Sequence, residues 1–129
     1  MSDRLLNNIS YTNSATLSGD KVKGDGHYGM ADGLHTVMVD LVDFIGTIKI
    51  QGSLETTPSE NDWFDTELNR GEYSVDTTGK ITELIESHLV YTVAETSINS
   101  YNTTGNFVWL RANISNWSAG TIARIELNR

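Results

Sequence analysis

Aliphatic side chains in this chain alternate with a two-residue period, and the alternation restarts about every ten residues, as strands of an all-β sandwich or barrel do. It is clearest in His35–Val42 ("HTVMVDLV"), Thr47–Leu54 ("TIKIQGSL"), His88–Glu95 ("HLVYTVAE"), Phe107–Ser115 ("FVWLRANIS") and Thr121–Asn128 ("TIARIELN"). Successive side chains of a strand point to opposite faces. Val37, Val39 and Leu41 therefore share one face, and Ile48, Ile50 and Leu54 share another. Val108, Leu110, Ala112 and Ile114 oppose Phe107, Trp109, Arg111 and Asn113, while Ala123, Ile125 and Leu127 oppose Ile122, Arg124, Glu126 and Asn128. One face is aliphatic throughout, which is sandwich patterning. The last two stretches flank a short Trp-Ser-Ala-Gly turn and read as a closing hairpin.

Weaker strand candidates are Ile9–Leu17, Trp63–Leu68 and Glu72–Asp76. Thr78–Ser87 ("TGKITELIES") places Ile81, Leu84 and Ile85 at helical spacing and predicts a single helical turn or short helix. Ser18–Leu34 ("SGDKVKGDGHYGMADGL") holds five of the 11 glycines and almost no periodicity. It reads as a long loop, the kind of segment that carries contacts or function.

A chain of 129 residues suits one domain and buries enough surface to fold without staples. There is no cysteine, so no disulfide or thiolate site. Nine Lys and Arg against 17 Asp and Glu give a net charge of −8, and the basic residues form no run. That disfavours nucleic acid or an anionic membrane as a partner, because such binding needs a basic face, and leaves open only a local basic patch. No apolar run approaches the ~18 residues of a membrane span. "MSDRLLNNIS" lacks the apolar core of a signal peptide, so the expectation is a protein assembled in the cytoplasm without Sec-type export.

No catalytic set stands out. His27, His35 and His88 are dispersed, without metal-ligand spacing. Asp20, Asp25 and Asp32 lie among glycines, where calcium could find oxygen ligands, but the EF-hand pattern is missing and Asp-Gly pairs are ordinary turn formers. Glu60, Asp62, Asp65 and Glu67 crowd around Trp63 and read as a solvated acidic loop. There is no G-x-S-x-G and no phosphate loop. We expect no enzyme activity, no metal and no cofactor.

The aromatics remain. Trp109 shares a face with Arg111 two residues on, so the guanidinium could stack over that indole, with Phe107 alongside. An outward aromatic–arginine set has the makings of a protein–protein hot spot. Periodicity leaves open whether that second face is wet, covered by the long loop, or closes one end of the core.

Three stretches, "VKGDGHYGMADGLHTVMVDLVDFIGTIKIQGSL", "DWF" and "GNFVWLRANISNWSAGTIARIELN", together resemble a family of small virion structural proteins of tailed phages, especially those of cyanobacteria. The likeness runs from Val22 to Asn128, so residues 1–21 are set apart as an N-terminal arm or first strand, with a β-sandwich domain over 22–129. The resemblance implies a jelly-roll-like antiparallel β-sandwich present in many copies on the particle. Such proteins form trimers or other small symmetric clusters and bind a capsid, neck or tail surface, with capsid decoration favoured here. On that basis Trp109, Arg111 and Trp117 are expected to carry one interface, and the Ser18–Leu34 loop, with His27, Tyr28 and Met30, to reach a neighbouring subunit. The competing class is a carbohydrate-binding module, with Trp63, Tyr73, Tyr91, Tyr101 and Trp117 as its stacking platform.

Overall fold

A computed structural model of the chain describes residues 2–28 and 33–129. The described residues form nine strands in one sheet: β1 (Ser2–Ser10), β2 (Leu17–Ser18), β3 (Val22–Lys23), β4 (Leu34–Ser53), β5 (Phe64–Asp65), β6 (Leu68–Val75), β7 (Ile81–Glu86), β8 (Leu89–Thr104) and β9 (Trp109–Asn128). The spatial order is β1-β9-β4-β8-β6-β7, with β2 and β3 on β9 and β5 on β4. Every recorded pairing is antiparallel.

The all-β class expected from the alternation is present, as one continuous antiparallel sheet. Strands β4 and β9 are each 20 residues long and run through both halves of the molecule side by side. The stretches read from sequence as two strands and as a closing hairpin are therefore single strands with a bend. Trp-Ser-Ala-Gly is no hairpin turn, because both flanks pair with β4 rather than with each other. The bends coincide. Register shifts lie between Val42 and Ile45 and between Ile45 and Thr47, and the left-handed residues Asp43, Asn116 and Gly120 cluster there. Left-handed residues and bulges bend strands and sharpen their twist, folding one sheet back over itself.

The fold-back encloses one apolar cluster. Val37, Val39 and Leu41 come from the first half of β4, and Ile48 and Ile50 from the second. Leu110, Ala112 and Ile114 come from the first half of β9, and Ile122, Ile125 and Leu127 from the second. Strand β1 covers the edge of β9 and adds Leu5 and Leu6. The aromatic end of the core sits at the bend. Trp117 lies 6.0 Å from the rings of both Phe44 and Tyr11, and Tyr91 lies edge-on to Phe44 at 5.8 Å.

Four expectations change in the structure. Ile122 is buried, against the simple alternation, because a register shift between Asp40 and Leu41 sends both Ile122 and Ile125 inward. Leu54 is 63% exposed because β4 ends at Ser53. Phe107 precedes β9, escapes its alternation and enters the core against His35 and Phe64. The expected helical turn at Thr78–Ser87 is instead strand β7, paired with β6.

Candidate functional site

The outer face of the first half of β9 is built by register. Lys23 and Ser53 flank Trp109, Gln51 lies opposite Arg111, and Ser18 and Lys49 flank Asn113. Residues opposite one another in a ladder share a face, so these side chains point away from the core.

The segment read as a long loop is largely tied down to this edge. Strands β2 and β3 pair with β9, and the chain then makes a short 3-10 turn at Asp25–Tyr28. His35, fully buried, secures that turn. Its Nε2 accepts the Asp25 N–H at 3.1 Å and its Nδ1 donates to the Gly33 carbonyl at 2.9 Å, which fixes the proton on Nδ1. Gly24 and Gly26 allow the turn to pass against Phe107, since a Cβ on Gly26 would meet the Asn106 carbonyl oxygen at 2.2 Å. Met30 lies outside the described residues.

Arg111 does not stack on Trp109. Its guanidinium lies 4.3 Å from the centre of the Trp63 ring, its Nε donates to Gln51 at 2.9 Å, and its terminal nitrogens face Glu60 at 3.3 and 3.4 Å. The segment between β4 and β5 folds over the outer face to make this contact. Its own 3-10 turn, Glu60–Asp62, is held by the Ser59 N–H and hydroxyl donating to the Asp62 carboxylate at 2.7 and 2.9 Å. The same segment receives the Trp109 indole N–H at the Thr56 carbonyl, 2.9 Å away. Trp109 is left with Lys21, whose Nζ sits 4.9 Å above its ring, and with His27 edge-on at 5.0 Å.

Tyr28 extends the set. His27 packs against it at 5.5 Å, and Lys23 and Arg129 lie over its ring at 5.9 and 5.1 Å. Arg129 also donates to the Tyr28 hydroxyl at 3.1 Å and pairs with Asp3. Burial works to lower the Arg129 pKa, but hydrogen bonds to Asp3 and Tyr28, together with charge attraction from both, raise it above its ordinary value. Four cations scattered in the sequence, Lys21, Lys23, Arg111 and Arg129, thus converge on Trp63, Trp109, His27 and Tyr28. Two open clefts mark the face. One of about 440 Å³ lies beside Arg111, Trp63 and Lys21, and one of about 290 Å³ lies beside Lys21, Trp109, Tyr28 and Arg129.

Of the expected interface residues, Trp109, Arg111, His27 and Tyr28 therefore belong to one face, with Arg111 mostly beneath it. Trp117 does not. It is 4% exposed, its indole N–H donates to Ala119 at 3.0 Å, and it packs in the aromatic end of the core. The expected sugar platform is not assembled, because Trp117 and Tyr101 are buried and Tyr73 stands far out on β6. Sequence reasoning missed Arg129, held Lys21 and Lys23 only as parts of the Ser18–Leu34 loop, and put Trp63 on the sugar platform rather than beside Arg111; the fold alone brings them to this face. Among the described residues no three His, Asp or Glu come together as metal ligands, and no helix is long and apolar enough to cross a membrane.

No family model matches the chain, and no curated protein matches it. The crystal structure of SPBc2 prophage-derived protein YomS is similar, aligning over 98% of this chain and 92% of that one with a TM-score of 0.50 at 10% sequence identity. At that identity the likeness is one of fold.

Proposed function

We propose that the chain is a non-enzymatic structural protein of a phage particle, assembled as a symmetric oligomer and docked on the particle through protein–protein contacts. Capsid decoration is preferred over a neck or tail position. The observation that carries this reading is the aromatic and basic face around Trp109, on a protein whose net charge is −8. Cations held over aromatic rings, with polar neighbours already satisfied, lose little freedom when a partner covers them. Arg, Trp and Tyr are the residues that anchor such interfaces. The resemblance to virion proteins and a fold shared with a prophage-derived protein favour a phage particle as the partner.

The docking role is tested by sedimenting the purified chain with particles of the phage that encodes it. Lys21→Glu and Tyr28→Ala change exposed side chains and leave the core untouched. Each is expected to weaken binding at least tenfold. Binding unchanged in both variants contradicts the assignment of this face, and no binding by the wild type contradicts the role.

A further inference from the structure

Strand β8 is 16 residues long, and β4 covers one of its edges. On the other edge β6 pairs with it at a single position, Asn69 opposite Asn102, and beyond that only the Arg70 side chain reaches back, to Asn99 and over the Tyr101 ring. Continuing that antiparallel register would set Tyr73 beside Ile98 and zip β6 along the edge. It does not continue. Gly71 takes a left-handed φ of +78°, and a bulge between Asn69 and Tyr73 diverts the hairpin. From Arg70 to Glu86 every residue is exposed, so β6 and β7 form an arm standing off the body.

Both the arm and the vacated edge lack what a free surface ordinarily has. An isolated two-stranded hairpin is marginal in water, and this one carries an apolar stripe on one face: Tyr73 (61% exposed), Val75 (66%), Ile81 (65%) and Ile85. Natural edge strands are guarded by lysine, proline or inward charge. Leu89–Thr104 has no Lys, Arg or Pro and a single charge, Glu95. It presents Val90, Val93 (73%) and Ile98 (60%) instead. Between the base of the arm and β8 lies an open cleft of about 500 Å³ lined by Arg70, Ile85, His88, Val90, Tyr91 and Tyr101.

We propose that the β6–β7 arm of one copy pairs with the open β8 edge of a second copy. The occupant is argued from the chain itself. It carries both an arm that has left an edge and the edge that was left, so each copy supplies what its neighbour lacks. The exposed apolar residues of the arm offer roughly 500 Å² by ordinary side-chain areas, and with backbone pairing along β8 this approaches the ~800 Å² per partner of a stable interface. Each subunit donates one arm and accepts one, so every arm and every edge is covered once the assembly closes on itself. This deepens the oligomer named in the proposed function and is independent of the face around Trp109.

The test is light scattering of the purified full chain, without particles, at tens of micromolar. The wild type is expected to be a multimer. Ile81→Glu on the arm and Ile98→Lys on the edge should each reduce the mass to that of one chain, with an unchanged circular-dichroism spectrum. The cysteine-free background permits a second readout: protein carrying Ser74→Cys is mixed with protein carrying Thr92→Cys, Thr96→Cys or Ser100→Cys and oxidised. A disulfide between copies in at least one pairing supports the arrangement. A monomeric wild type, a multimer that survives both charged variants, or a multimer yielding no cross-link in any pairing overturns it. A monomer that still binds particles overturns the arm exchange and leaves the docking role standing. A multimer dispersed by both variants that binds no particle does the reverse.

Discussion

The carbonyl oxygen of Asp43 sits 2.1 Å from the place a Cβ on Gly120 would occupy, so β4 and β9 bend against each other with no room between them. Gly120 also holds a φ of +89°, a conformation that residues with a side chain adopt only under strain. Gly120→Ala should therefore cost on the order of 3 kcal/mol or more, from strain and backbone displacement together. Gly71 has a similar φ of +78° but nothing within 4 Å, so Gly71→Ala should cost only about 1 kcal/mol. Urea midpoints of the two variants measure the difference, and equal losses would contradict the close approach.

His35 should matter more than an ordinary core residue of its size. Replacing it with Phe keeps the ring but removes the imidazole nitrogen that accepts the buried Asp25 N–H. A buried donor left without its partner costs about 1–3 kcal/mol. The expected outcome for His35→Phe is a loss in that range, with faster amide exchange at Asp25 and Gly26. Unchanged exchange there would show that the turn is held by other means.

Arg111 and Trp63 hold the segment between β4 and β5 on the outer face. Trp63→Ala should cost about 1–2 kcal/mol from stacking and lost contact area. The ion pair adds little, because Glu60 has 83% of its side chain in solvent. Glu60→Gln should accordingly stay within about 0.5 kcal/mol of wild type. Limited proteolysis should cut Trp63→Ala within residues 55–62 and spare Glu60→Gln. Cleavage of both alike would put the ion pair, not the stack, in charge.

The arm has its own pH dependence. The Asp76 carboxylate accepts the Thr78 hydroxyl at 2.6 Å and the Thr78 and Lys80 N–H groups, each at 2.9 Å, and these bonds lower its pKa from 3.8. With the folded value below the unfolded one, the stabilisation is fully present above about pH 3.8 and fades as pH falls through the lower folded value. Amide exchange at Thr78 and Lys80, corrected for its intrinsic pH dependence, should be slow down to about pH 4 and accelerate below it. Asp76→Asn should flatten that profile. A profile identical in the variant would remove Asp76 from the turn.

The legible part of the fold is where strands run regularly. Val37, Val39 and Leu41, Ile48 and Ile50, and Leu110, Ala112 and Ile114 all face the core as their alternation requires. The illegible part lies where the backbone departs from that period. Asn116 and Gly120 look like hairpin punctuation, yet their left-handed conformations bend a strand whose partner is remote in sequence. Ile81, Leu84 and Ile85 mimic a helix because an arm exposed on both faces has no buried side to impose alternation. At the site, the pairing of Arg111 with Trp63 depends on a segment folding back from far upstream, and spacing along β9 pointed to Trp109 instead. The resemblance placed His27 and Tyr28 at an interface, but the convergence of Lys21, Lys23 and Arg129 on them follows only from register.

The proposed role, a structural component of a phage particle, is open to quantitative mass spectrometry of gradient-purified particles of the encoding phage. The chain is expected at a fixed copy number, a multiple of its oligomer size, in every preparation. Its absence from particles, with the protein abundant in the lysate, would contradict it.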